Sequence, residues 1–159
     1  MMPKKELLIL CLSLSICAAC SGKGGRSSAS LPIAATNASL RLERISIHDF
    51  LAEYDRYLVL IVGGVPVTRT QISTDTGGKS RANVFFRKAD STLVLQDWMG
   101  RYEINVAQRN ISEVSSTCRE PEGNVFVGAF DVDETKEWRF IPAAERKQMP
   151  VPASGCGEI

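Results

Sequence analysis

The 159-residue sequence contains a single histidine, His48, and its charges nearly balance, with 19 Lys and Arg against 18 Asp and Glu. A serine or cysteine hydrolase takes its general base from histidine, and zinc sites take several His or Cys ligands. The scarcity of histidine argues against both classes, and no Gly-x-Ser-x-Gly nucleophile elbow is present. No block of like charge occurs, so we expect no nucleic-acid partner. We likewise expect no cofactor and no metal.

The sequence also lacks an apolar run long enough to span a bilayer. The uncharged stretch that follows Lys4 and Lys5 extends from Leu7 to Ala19, which is 13 residues. As a helix it would cover roughly 20 Å, short of the roughly 30 Å hydrocarbon core. A basic start, a short apolar stretch and small residues at its end predict an export signal over residues 1–19.

The end of this signal carries a short motif, Cys17-Ala18-Ala19-Cys20. It resembles the lipobox of bacterial lipoproteins, in which the final cysteine receives a diacylglyceryl thioether and becomes the mature N-terminus. The resemblance implies lipidation of Cys20 and anchorage to a membrane of the cell envelope. Because Ser21 follows the cysteine instead of Asp, it implies the outer membrane, facing the periplasm, if the source has two membranes. Ordinary cleavage to a free soluble protein is the alternative.

The residues that follow predict one tethered domain. Residues 20–39 are rich in Gly, Ser and Ala, with almost no large apolar side chain, and indicate a lipidated cysteine followed by a flexible tether. Residues 40–159 provide enough chain for a single core. Cleavage before Cys20 removes Lys4, Lys5 and Glu6, which leaves 17 residues of each charge and a formally neutral mature protein.

Two cysteines, Cys118 and Cys156, remain within this domain. Exported proteins enter an oxidising compartment, where two such cysteines usually pair, so we expect a structural disulfide between them. Their spacing is not that of a Cys-x-x-Cys redox pair.

Hydrophobic periodicity predicts a mainly β fold. Ile47, Phe50, Leu51 and Tyr54 fall on one helical stripe after Ser46, which predicts a single short N-terminal helix. The remaining chain alternates with period two. Strands are predicted at YLVLIV (57–62), VPVTRTQI (65–72), NVFFRKA (83–89), TLVLQDW (92–98), RYEINVA (101–107), VFVGAFDV (125–132) and EWRFIPA (137–143). We therefore expect a small antiparallel barrel or sandwich of about 6–8 strands.

Few residues suggest chemistry. Asp75-Thr76-Gly77 matches the triplet that carries the catalytic carboxylate in aspartic proteases, and the resemblance implies a dimer that supplies the second carboxylate. A solvated hairpin loop is the alternative. His48 with Asp49 is a second candidate for catalysis. The alternative is that His48 is a surface residue in the first turn of the predicted helix.

Two further groups are candidates for binding. Asp131, Asp133 and Glu134 are acidic enough for a calcium site but lack the pattern of an EF-hand. Trp98, Tyr102 and Trp138 are candidate ligand-facing aromatics, with burial in the core as the alternative.

These features favour a membrane-anchored envelope lipoprotein that acts as a non-catalytic binding module: an assembly accessory, an inhibitor or a complex subunit. We expect an envelope protein as its partner, in addition to the membrane contacted through the lipid. The alternative is a small envelope hydrolase built on Asp75.

Overall fold

The computed structural model describes residues 25–34, 36–77, 80–114 and 123–147. Ten strands lie in these ranges: β1 (Arg26–Ile33), β2 (Ala38–Ser46), β3 (Tyr54–Val62), β4 (Val65–Asp75), β5 (Ala82–Arg87), β6 (Thr92–Gln96), β7 (Arg101–Asn105), β8 (Asn110–Val114), β9 (Asn124–Val132) and β10 (Trp138–Pro142).

The first sheet is an antiparallel meander in the order β1-β2-β3-β4. Its residues alternate between two faces, as the period of a strand requires. Leu40 and Leu42 of β2 lie opposite Leu60 and Leu58 of β3, and all four are fully buried. The outer face of β2 carries charged side chains at the intervening positions.

The second sheet has six antiparallel strands in the order β10-β9-β5-β6-β7-β8. Strands β5 to β8 follow one another as a meander, and the β9–β10 hairpin then returns to pair with β5. The central strand β6 is buried at every position, which suits its continuous apolar run Leu93-Val94-Leu95.

The two sheets pack face to face across one hydrophobic core. Both contribute buried side chains to it, including Leu31, Leu42, Leu58, Ile72, Val84, Leu95, Ile104 and Phe130. Strand β1 contacts β10, and β4 contacts β8, at the two margins of the sheets. The hydrophobic effect over this shared interface holds the two layers together.

The strands place identifiable loops at each end of this two-layer structure. We call the end at which β1 begins the N-terminal end; there the amide of Ser46 donates to the carbonyl of Gly25 at 3.0 Å. The loop 47–53 and the turn 97–100 lie at this end, because Arg56 near the start of β3 pairs with Asp97 at 2.6 Å. The opposite end carries the β3–β4 turn and the start of β9.

The mainly β, antiparallel prediction is confirmed, and each of the seven predicted strands overlaps an observed one. The strand number was wrong, because ten strands are present in the described residues instead of 6–8. Of the two predicted arrangements, the pairing into two separate sheets excludes the closed barrel.

The predicted N-terminal helix is also wrong. Residues 47–53 form an irregular loop between β2 and β3, and Tyr54 begins β3 opposite Ser46. The loop is closed by the amide of Ile47, which donates to the carbonyl of Glu53 at 3.0 Å. The pairing of two nine-residue strands outweighs the weak local helical pattern between them.

The tether prediction for residues 20–39 requires correction over its described part. Residues Arg26–Ile33 form β1, and β2 begins at Ala38. The composition misled because β1 needs apolar side chains only on its inner face, where Ala29 and Leu31 lie opposite Leu42 and Leu40. No helix in the described ranges is long and apolar enough to cross a membrane.

Candidate functional site

The three cysteines singled out by the sequence, Cys20, Cys118 and Cys156, lie outside the described residues. Lipidation of Cys20 and the Cys118–Cys156 disulfide therefore stay predictions.

Asp75 ends β4 and is almost fully buried, with 2% of its surface exposed. Its Oδ1 accepts a hydrogen bond from the amide of Gly77 at 3.0 Å, the turn geometry in which an Asx side chain bonds two residues ahead. The carboxylate is therefore used locally, but the predicted solvated hairpin loop is wrong: Asp75 is buried, and the chain after it leads from β4 in one sheet to β5 in the other.

His48 lies in the loop 47–53, where its Nε2 is 3.3 Å from the Glu53 carboxylate. Its ring centroid is 5.9 Å from that of Phe50, and its carbonyl accepts a hydrogen bond from the Ser46 hydroxyl at 2.6 Å. These contacts involve only the loop and the end of β2, and they hold the loop in one conformation.

Two of the three candidate aromatics, Tyr102 and Trp138, pack in or against the hydrophobic core. Tyr102 is a core residue with 3% exposure, which corrects its assignment as ligand-facing; its hydroxyl accepts a hydrogen bond from the amide of Ser73 at 3.2 Å. Burial raises the pKa of this phenol. Trp138 is half-buried, with the guanidinium of Arg44 at 4.3 Å from its ring. Trp98 is half-buried in the turn after β6.

Of the three candidate calcium ligands, Asp131 and Asp133 are engaged in ion pairs, and Glu134 is exposed in the β9–β10 loop. Asp131 contacts Arg146 at 2.5 Å, and Asp133 contacts Arg139 at 2.7 Å. Asp133 also accepts hydrogen bonds from Thr135, whose hydroxyl lies at 2.6 Å, and these contacts lower its pKa. Within the described ranges no group of three His, Cys, Asp or Glu side chains is arranged to hold a metal ion.

The outer face of the first sheet carries an arginine cluster that the sequence analysis missed. The Glu43 carboxylate is nearly buried and contacts Arg26 at 2.8 Å, Arg41 at 3.0 Å and Arg69 at 3.3 Å. Burial acts to raise the pKa of Glu43, but the bonds and charges of these guanidinium groups outweigh it, and the pKa is lowered. Three strands supply the arginines, so no local charge run signals the cluster.

A buried polar group joins the two sheets. Arg56 of β3 donates to Asp97 at 2.6 Å and to the Ser73 hydroxyl at 2.7 Å, and both charged side chains are fully buried. Asp97 also accepts hydrogen bonds from the backbone amides of Met99 and Gly100, at 2.8 and 2.7 Å, and these bonds fix the β6–β7 turn. These hydrogen bonds join β3 and β4 of the first sheet to the β6–β7 turn of the second.

The clearest binding feature is an apolar pocket at the opposite end of the structure. Its volume is about 300 Å³. The ends of β1 and β5 and the starts of β6 and β9 line it, with Leu31, Ile33, Phe86, Leu93, Val125 and Val127. Lys88 is the one charged residue among the described residues that form its wall. Such a pocket suits an apolar group, with a cation at hand for a negative charge beside it.

Comparison with known proteins finds no matching protein family, no matching curated protein and no matching solved structure, so the geometry described above is what bears on function.

Proposed function

We propose that this protein is a lipid-anchored, non-catalytic binding module of the bacterial cell envelope. Cys20 carries the anchor, and in a cell with two membranes the domain faces the periplasm from the outer membrane. The observation that carries the binding role is the apolar pocket lined by Phe86, Val125 and Val127. Its ligand is an apolar segment of an envelope protein, with an acidic group facing Lys88.

The position of the pocket supports this arrangement. Gly25, the first described residue after Cys20, lies at the N-terminal end, whereas the pocket lies at the far end of β1. Eight residues of β1 separate the two ends by about 26 Å at the usual strand rise. A domain anchored through Cys20 therefore presents the pocket away from the membrane, where a partner can reach it.

The size of the pocket favours a protein partner. A volume of about 300 Å³ is at the lower end for small-molecule sites, but it is enough for one or two apolar side chains. Val125 is 45% exposed at the rim, so a partner would remove apolar surface from water there.

The hydrolase alternative gains no support from Asp75. Its carboxylate is buried and bonded to Gly77, and an asparagine would keep the same carbonyl acceptor. We therefore expect Asp75→Asn to leave partner binding unchanged.

The test is a pull-down from detergent-solubilised envelope with the lipidated protein as bait, read by mass spectrometry. Val125→Asp places a charge in the pocket and should reduce the retained partner by about tenfold or more. Val65→Asp is the matched control, because Val65 is 62% exposed at the same end and lies outside the pocket wall. Equal retention by both variants would contradict the assigned binding site. Mass spectrometry of the N-terminal peptide determines separately whether Cys20 carries lipid.

A further inference from the structure

Exposed apolar side chains are concentrated at the N-terminal end. Six large hydrophobic residues are exposed in the described ranges, and four of them, Ile47, Phe50, Leu51 and Met99, lie in the loop 47–53 and the turn 97–100. Phe50 is the most exposed, at 84%. Exposure of such a ring to water is unfavourable, and transfer of the ring into an apolar phase would be stabilising.

These side chains are held in place by the fold. The backbone hydrogen bond from Ile47 to Glu53 closes the base of the loop, and the contact between the His48 and Glu53 side chains crosses it. Phe50 and Leu51 lie between these residues, near the tip of the loop. Met99 projects from the turn 97–100. Asp97 fixes this turn by accepting hydrogen bonds from two backbone amides.

The chain that leads to the proposed anchor enters at this same end. Ser46, the residue before the loop, is bonded to Gly25, so the entering chain and the base of the apolar loop are adjacent. Five residues of chain lead from Cys20 to Gly25, and even fully extended they reach at most about 18 Å. The N-terminal end therefore stays within that distance of the lipid, whatever path the chain takes.

From this placement we propose that the N-terminal end docks on the bilayer, with Phe50, Leu51, Ile47 and Met99 inserted among the lipids beside the anchor. This rests on the proposed lipidation of Cys20. The lipid alone would leave the domain free to tilt, whereas a second, apolar contact fixes its orientation and directs the pocket outward.

Apolar contact, not charge, carries this docking. The charged groups around the loop are of both signs: Arg26 and Asp49 are exposed and of opposite charge, and the half-buried Glu53 is acidic. We therefore expect the docking on zwitterionic vesicles, with little dependence on salt.

The experiment uses the lipidated protein reconstituted into phosphatidylcholine vesicles whose acyl chains carry bromine, which quenches tryptophan fluorescence on contact. Phe50→Trp places a reporter on the loop, and Val65→Trp places one at the opposite end. Both positions are exposed, so the domain should tolerate either substitution. The signal of Trp98 and Trp138 is subtracted with the unsubstituted protein.

We expect the fluorescence added by Phe50→Trp to fall by about half or more, as for a side chain at the acyl boundary, and that added by Val65→Trp to stay unchanged. Equal quenching of the two variants, or none in either, would overturn the docking even when mass spectrometry finds lipid on Cys20. Absence of lipid on Cys20 would instead refute the anchoring itself, and the docking would fall with it.

Discussion

The buried pair Arg56–Asp97 offers the sharpest test of how the two sheets are joined. Both side chains are fully buried, so solvent does not screen their interaction. Removal of one partner from a buried pair typically costs about 3 to 5 kcal/mol, because the other charge is left uncompensated.

The two partners should not be equivalent. Without Arg56, Asp97 keeps the Ser73 hydroxyl and two backbone amides as donors. Without Asp97, Arg56 keeps only Ser73, and its Nη1 already lacks a hydrogen-bond partner. We therefore expect Asp97→Ala to lower the free energy of unfolding by about 4 to 5 kcal/mol and Arg56→Met by about 3 kcal/mol.

Urea denaturation of the chain bearing Cys20→Ala measures these values. With a slope near 1.5 kcal/mol per molar urea, Asp97→Ala should lower the midpoint by about 3 M. The double variant should cost at least about 1 kcal/mol less than the sum of the single ones. Arg87→Met is the control, since its pairs with Asp90 and Glu103 are both accessible to solvent and should each contribute less than about 1 kcal/mol. An Asp97→Ala cost no larger than that control would refute the reasoning.

Three further predictions concern the stability of the domain. Gly128→Ala should lower the free energy of unfolding by about 1 to 3 kcal/mol, because a Cβ there would lie 2.4 Å from the Ile141 carbonyl oxygen; Gly25→Ala, in open space, should be neutral in the same urea titration. Because burial raises the pKa of Tyr102 above its usual 10.0, the stability it contributes is intact below pH 10 and is lost as the pH rises through the folded-state value; Tyr102→Phe should flatten the urea midpoint against pH in that range. For Glu43 the pKa is lowered, so the dependence on pH is opposite. The stability that Glu43 contributes is present above pH 4.5 and is lost as the pH falls through the folded-state pKa, and the urea midpoint of Glu43→Gln should lack that loss in acid.

The period-two patterns predicted the strands well because alternation follows from the strand geometry itself. In RYEINVA, Tyr102 and Ile104 are buried and Glu103 and Asn105 are less so, as the alternation predicts. Strand β1 was missed because serines are as typical of the solvent-facing side of a strand as they are of a flexible linker. At residues 47–53 a helix was predicted where none exists. The apolar spacing there suggested a buried helix face, but Ile47, Phe50 and Leu51 are exposed and no other element covers them.

The site-level features depended on pairings that no local pattern reports. Arg56 and Asp97 belong to different sheets and are 41 positions apart. The pocket draws on four strands, and the Glu43 cluster draws on three. The burial of Asp75 was missed because its neighbours are polar; only its Asx turn with Gly77, two positions later, is local.

The place of β5 between β6 and β9 affects the order in which the chain can fold. Residues up to Val114 contain both meanders, but β5 is then an edge strand with unpaired backbone groups and buried-type side chains such as Val84 and Phe85. Only when β9 has emerged does this edge gain its partner. Until then the incomplete sheet is a template for pairing with other chains, so a truncation before β9 should aggregate, and β9 must be available before this edge is protected.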